Sequence, residues 1–168
     1  EWTDGDFNKL KIYTDNPGNY DAWDILPNYK DKQIEIKVDK PLAICEQDGE
    51  SVTFKTVLST EKSKWTMLVR FFRQSRGIEV ENQVSWHEKH RLAKVEFTSN
   101  ILTRKALCDT SAGFIERETN KNTSWQQARF ETCHHKWCDM SETGGGISLI
   151  NEGKYGVGFD ENTMSLSL

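Results

Sequence analysis

No part of this 168-residue chain approaches the run of about 20 apolar residues that a membrane-spanning helix needs. No basic, apolar leader opens it either. Neither sign of charge dominates: 22 Lys and Arg stand against 26 Asp and Glu, interspersed, for a formal net charge of -4. That balance supplies no field for nucleic acid or for an anionic lipid surface. Cysteine is sparse, with Cys45, Cys108, Cys133 and Cys138 lacking the density and regularity of a small secreted disulfide scaffold. A reducing cytoplasm is the simpler setting. Also missing are a sustained 3.6-residue apolar period, an internal repeat and a low-complexity segment. The expectation is a soluble, cytoplasmic protein that engages neither nucleic acid nor membrane.

What the chain has instead is alternation. Phe7 to Thr14 sets Leu10 and Ile12 against Lys9 and Lys11, the pattern of a half-buried strand. Asp15-Asn16-Pro17-Gly18-Asn19 is a turn, and Asp48-Gly49 between two strand-like runs reads as a hairpin. Ile34-Ile36-Val38 alternates until Pro41 punctuates it, and Val52, Phe54 and Val57 continue the pattern. Trp65, Met67, Val69 and Phe71 keep period two, as do Ile78, Val80, Val84 and Trp86, with Arg76-Gly77 as the turn between them. Ala93, Val95 and Phe97 resume it, with Lys94 and Glu96 on the other face. Ile147-Leu149, Tyr155-Val157-Phe159 and Met164-Leu166-Leu168 finish the chain. Many short strands with regular turns predict an all-β, antiparallel β-sandwich, residues 1–168 forming one domain. The chain starts at Glu1 and stops within the alternation Ser165-Leu166-Ser167-Leu168, so it is expected to be a fragment truncated at both ends.

One stretch is unlike a plain core strand. Between Arg117 and Glu142 lie Trp125, Trp137, His134, His135, Cys133 and Cys138 among several charges, and Gly144-Gly145-Gly146 closes the run. Its plain reading is a polar strand pair with its turn; its sharper one is a surface built to meet a sugar or another domain of the same polypeptide. Cys133, His134, His135 and Cys138 invite zinc by residue type, but on a strand they alternate between faces and match no common finger spacing. Asp21 with Asp24, and Glu131 with Glu142, are the carboxylate pairs that glycosidase chemistry would need, though carboxylates this common read first as solvated or salt-bridged. Ser141 near Glu142 and His135 lacks a nucleophile elbow. Asn122-Thr123-Ser124 fits a glycosylation pattern, a weak three-residue match. Trp23, Trp125 and Trp137 beside Asp, Asn and Arg suit stacking on sugar rings and equally suit a sandwich core.

Together these blocks resemble the carboxy-terminal β-domain of family-38 α-mannosidases, in particular the cytosolic and bacterial branch. The family pattern of Pro followed by Tyr-Asp-Ala-Trp-Asp-Ile is matched by Pro17 and Tyr20 to Ile25. Trp86, Glu88, His90, Arg91, Leu92, Ala93, Lys94 and Val95 approximate a second block. Glu116, Arg117, Thr119, Asn122, Thr123, Ser124 and Trp125 match a third, Ala128 to Glu142 a fourth, and Lys154-Tyr155-Gly156 a fifth. Ser165 to Leu168 resembles the start of the family's Leu-Ser-Leu strand. The chain departs from the pattern at Glu118 (usually Pro), Asn120 (usually His), Glu152-Gly153 (usually Asp-Cys) and Gly145 (usually aromatic).

The resemblance implies a galactose-mutarotase-like super-sandwich that belongs to a retaining hydrolase of terminal α-linked mannose. In such enzymes a carboxylate nucleophile forms a glycosyl-enzyme, and zinc or a similar divalent cation grips sugar hydroxyls. It also implies that the nucleophile and the metal ligands lie in an upstream catalytic domain, so this chain alone holds no catalytic residue and no metal. Its partners would be that domain and a mannose-containing oligosaccharide. The substrate-binding candidates are Tyr20, Asp21, Trp23 and Asp24, with Arg117 and Trp125 second; Arg129, Glu131 and His135 are expected to form a buried polar network. The competing expectation is a stand-alone carbohydrate-binding sandwich or an interdomain scaffold.

Overall fold

The computed structural model describes residues 7–21 and 23–168. Strands dominate them. In chain order these are β1 (Phe7–Thr14), β2 (Gln33–Ile34), β3 (Lys37–Gln47), β4 (Ser51–Ser59), β5 (Lys64–Phe72), β6 (Ile78–Ser85) and β7 (Arg91–Thr98). Then come β8 (Lys105–Thr110), β9 (Gly113–Glu118), β10 (Thr132–Cys133), β11 (Trp137–Glu142), β12 (Gly145–Ile150), β13 (Gly156–Asp160) and β14 (Thr163–Ser167). Two short helical pieces interrupt them, a 3-10 turn at Tyr29–Lys32 and α1 at Ser124–Ala128. The chain divides into two compact units, one being Ile34–His90 and the other the flanking parts up to Gln33 and from Arg91 on. The sequence pattern reads as one sandwich domain because period-two alternation runs through both units alike.

The middle unit is a four-stranded antiparallel meander in the order β3-β4-β5-β6. Its register sets Leu58 opposite Trp65, Phe54 opposite Val69, Trp65 opposite Val84 and Phe71 opposite Ile78, so one face is apolar. On it Trp65 and Met67 are buried, while Val38, Ile44, Phe71, Ile78 and Val84 remain exposed. The Trp65 indole donates to Asn82 Oδ1 at 2.8 Å. Asp48 shapes the first hairpin by accepting from the amides of Glu50 and Ser51 at 2.8 and 2.6 Å, which holds its carboxyl below the usual range.

The flanking unit is a sandwich. A six-stranded sheet, β10-β13-β14-β7-β1-β2, faces a four-stranded one, β12-β11-β8-β9. Val157, Phe159 and Met164 from the first meet Ala106, Cys108, Cys138 and Met140 from the second in one cluster that includes Ile101. The buried Val, Ile, Phe and Met side chains among them each contribute about 1.5–3 kcal/mol relative to exposure. Strand alternation then fixes everything on the other face of the six-stranded sheet. Lys9 lies opposite Glu96 and Lys11 opposite Lys94. Glu96 lies opposite Ser165 and Lys94 opposite Ser167, and Ser165 lies opposite Gly158. This second face is polar, yet Lys94, Glu96, Ser165 and Tyr13 on it are buried.

Candidate functional site

The loop with the strongest sequence signal is built from its base. Asp15, buried at the end of β1, accepts the Leu26 amide at 3.0 Å and closes residues 16–25 into a loop. Within it the Tyr20 carbonyl accepts from the amides of Trp23 (2.8 Å) and Asp24 (3.0 Å). Tyr20 takes a left-handed φ of 58°, a conformation that costs a non-glycine residue roughly 1–2 kcal/mol. The turn thrusts its aromatics outward: Tyr20 is 80% exposed and Trp23 91%. Asp24 is partly committed to the loop itself, accepting the Ile25 amide at 3.0 Å. Asp21 is exposed beside them, and Ala22 lies outside the described residues.

Arg117 and Trp125 occupy other elements. Arg117 on β9 lies opposite Ala106, on the inner row of its sheet. Its guanidinium reaches Cys108, and its Nε is buried without an acceptor among the described residues. Trp125 projects from α1 and is 78% exposed. The helix has one turn's worth of reasons to form: Thr123 caps it, its Oγ1 accepting from the Gln126 amide while Gln126 Oε1 accepts from the Thr123 amide.

The polar face of the six-stranded sheet holds groups the alternation pattern places in solvent. Lys94, fully buried, donates to Glu131 Oε2 at 2.6 Å and to Ser167 Oγ at 2.8 Å. Ser167 in turn donates to Glu131 Oε1 at 2.5 Å. Tyr29 lies over this layer, its ring centroid 5.6 Å from Lys94 Nζ and edge-on to Tyr13 at 5.0 Å. Tyr13 donates to Glu96 Oε1 at 3.1 Å, and Lys11 pairs with Glu96 Oε2 at 2.6 Å. Burial, then the Glu96 carboxylate, push the Tyr13 phenol above its ordinary range. Small residues make the close approach possible. A Cβ on Gly158 would stand 2.8 Å from the Phe130 carbonyl, and one on Gly156 2.8 Å from Glu131 Oε1.

Of the three residues expected in a buried network, Glu131 is in it. Arg129 and His135 are exposed: Arg129 caps the end of α1 and lies 4.0 Å from Glu118, and the His135 ring meets Tyr155 edge-on. Sequence reasoning missed Lys94, Ser167, Tyr29, Tyr13 and Glu96. The available signal was the run of small residues, Gly156, Gly158, Ser165 and Ser167, at the outward positions of adjacent strands, which marks another segment lying close against the sheet.

The cysteine and histidine cluster disperses. The Cys138 thiol packs in the core, 3.9 Å from Met164 Sδ, and burial raises its pKa. Burial likewise raises the Cys108 thiol, to about 11. His134 is 1% exposed, and its Nε2 lies 2.7 Å from Asn151 Nδ2. The Asn151 Oδ1 already accepts from the amides of Gly153 and Lys154, so its NH2 group donates and the histidine proton sits on Nδ1. Cys133 is exposed. Among the described residues no three His, Cys, Asp or Glu side chains converge into a group that could hold a metal ion.

The fold is an antiparallel β architecture shared with solved glycoside hydrolases. The crystal structure of an alpha-mannosidase from Enterococcus faecalis V583 superposes with a TM-score of 0.76 at 11% identity, over 95% of this chain and 21% of that one. The sequence carries the relationship further: the chain belongs to the glycosyl hydrolases family 38 C-terminal domain family, whose profile matches residues 1–168. It is 32% identical over 173 residues to Alpha-mannosidase 2C1 of Homo sapiens, covering 96% of this chain and 16% of that protein. It is 33% identical to Alpha-mannosidase of Saccharomyces cerevisiae, again over 96% of this chain and 16% of the relative. Against Alpha-mannosidase G of Dictyostelium discoideum the identity is 34%, over 96% and 15%. The chain therefore spans under one fifth of the length of these curated relatives.

Proposed function

We infer that this chain is the C-terminal β-domain of a cytosolic α-mannosidase that hydrolyses terminal α-linked mannose from oligosaccharides. The reaction proceeds on an upstream catalytic domain that also holds the divalent cation, zinc or a similar ion. The chain's own contribution is a wall for the sugar cleft, built from Tyr20, Asp21, Trp23 and Asp24, with Arg117 and Trp125 as further contacts. The observation that carries this reading is the Trp23 indole, 91% exposed on a loop whose base is braced by Asp15. A large aromatic held in solvent by a strained turn is costly unless it meets a sugar face or a neighbouring domain. The cytosolic setting rests on four unpaired cysteines, two of them exposed.

The test is Asp21→Asn and Trp23→Ala in the full-length protein that carries this chain. Each is expected to lower kcat/KM on an aryl α-mannoside about 10-fold or more, the scale of losing one good sugar contact of about 1.4 kcal/mol. The melting temperature is expected to stay within a degree or two, because the substituted side chains are exposed. Lower stability at unchanged specific activity would reduce the loop to scaffold.

A further inference from the structure

A second feature of the flanking unit lies on the polar face of its six-stranded sheet. A cleft of roughly 410 Å3 opens there, and its lining includes Lys11, Tyr13, Lys30, Glu96, Asp160 and Glu161. Its size falls within the about 300–1,000 Å3 of small-molecule sites, but it lacks their apolar walls. Tyr13 and Glu96 are buried and fixed, the phenol donating to the carboxylate at 3.1 Å. Four of the charges cancel in pairs, Lys11 with Glu96 at 2.6 Å and Lys30 with Asp160 at 2.9 Å. Glu161 is the fifth charge of the lining and stands outside both pairs, so an anionic ligand would have to break a pair beside a carboxylate. An uncharged polyol would not: its hydroxyls can donate to the remaining carboxylate lone pairs and accept from the remaining ammonium protons.

The rim carries an independent mark. Glu161, at the tip of the β13–β14 hairpin, has a φ of 51°, where glycine or asparagine would be at ease. The conformation is imposed by its surroundings. Its amide donates to the Thr119 carbonyl at 2.9 Å, the Ser99 amide donates to the Asn162 carbonyl at 3.0 Å, and Asn162 Nδ2 donates to the Ser99 carbonyl at 2.8 Å. Asp160 pairs with Thr163, so the loop is two residues long and calls for a positive φ at its tip; the residue that meets this demand is a carboxylate at the mouth of the polar cleft.

We propose that this cleft is a carbohydrate subsite separate from the Tyr20–Asp24 loop, one that takes an uncharged, hydroxyl-rich ring of an oligosaccharide through Glu161 and the Lys30–Asp160 pair. The sugar class rests on the reading of the chain as part of a glycoside hydrolase; the uncharged, hydroxylated character rests on the lining. Recognition runs through hydrogen bonds without stacking, because the Tyr13 ring is covered edge-on by Tyr29, so binding is weak.

The experiment is an NMR titration of the full-length protein that carries this chain with a non-hydrolysable, sulfur-linked α-mannobiose, with sodium phosphate and magnesium chloride as ionic probes. The expected result is saturable shifts at the amides of Lys30 and of residues 160–163 with the disaccharide and none with either ion. Glu161→Gly is expected to weaken that binding at least threefold while leaving the melting temperature unchanged or higher, since glycine relieves the turn. Lys30→Met, at an exposed pair, weakens it without unfolding the sheet. Shifts confined to the Tyr20–Asp24 loop would overturn this subsite and leave the cleft-wall reading standing. Shifts at the cleft with unaltered kcat/KM in the loop variants would do the reverse. Saturable binding of phosphate or magnesium at the cleft, or no shifts there at all, also overturns it.

Discussion

Lys94 shows how a single side chain can contradict its own sequence pattern. Placed between Ala93 and Val95, it sits where a strand normally meets water, yet it is fully enclosed and answered by Glu131 and Ser167. Burial lowers its pKa against the opposing pull of Glu131. Removing one member of such a pair leaves the other charge uncompensated, which costs about 3–5 kcal/mol, whereas removing both costs much less. Lys94→Met is therefore expected to lower the urea midpoint sharply, and adding Glu131→Gln to restore part of it. A double variant that loses the sum of the two single losses would show that the pair is not coupled.

His134 makes a pH prediction at the same scale. Burial depresses its pKa below the usual 6.5, with Asp109 pulling the other way. Above pH 6.5 the ring is neutral whether folded or unfolded, and the stability this group contributes is fully present. As pH falls below 6.5 the unfolded chain takes up a proton that the folded chain refuses. Stability is then lost by up to about 1.4 kcal/mol per pH unit until the folded pKa is reached. Urea midpoints at pH 7.5, 6.5 and 5.5 should decline across the lower interval in the native chain and decline less in His134→Gln.

At the scale of elements, alternation reveals a strand but not what covers its outward side. β1 and β4 to β7 follow the apolar period closely, as do the hairpins at Asp48 and at Arg76-Gly77. β8 and β9 escape notice because Lys105–Thr110 and Gly113–Glu118 are short and mix charge with few apolar residues. Pro41 reads as a break, yet β3 runs through it. An edge strand has unpaired amides on one side, so a missing N–H costs it little. The segment from Arg117 to Glu142 is not a simple strand pair. It contains α1, held by the Thr123–Gln126 capping box, and then β10 and β11. One helical turn is too short for a period to show, and the sequon at Asn122 masked its cap. Gly158 tests how closely the Phe130–Glu131 segment lies on β13. Its Cβ would meet the Phe130 carbonyl and Ser165 Oγ, both at 2.8 Å, so Gly158→Ala is expected to destabilise by about 1–3 kcal/mol in denaturant titration. A neutral outcome would mean that the segment shifts aside freely.

For the whole molecule, the all-β class and the family were both legible, the first from period two and the second from motifs spread in order along the chain. The division into two units was not, since each obeys the same alternation. The candidate site was legible only in part. Tyr20 to Asp24 announced themselves because aromatics and acids rarely share a turn. Arg117 and Trp125 fall on a strand and a helix, and the buried polar layer depends on contacts between residues far apart in sequence, such as Lys94 with Ser167.

The outermost strand of the meander has a consequence of its own. β3 is eleven residues long and exposed throughout, and it slips out of step with β4 at three places, between Val38 and Lys40, Lys40 and Ala43, and Ile44 and Glu46. A long bare margin carrying Val38, Leu42 and Ile44 would otherwise be a template on which further chains could stack into fibrils. The repeated slips, together with Lys37, Lys40 and Pro41, deny an incoming strand any stretch of matching amides and carbonyls. The irregularity that obscures this strand in the sequence is also what keeps it from polymerising.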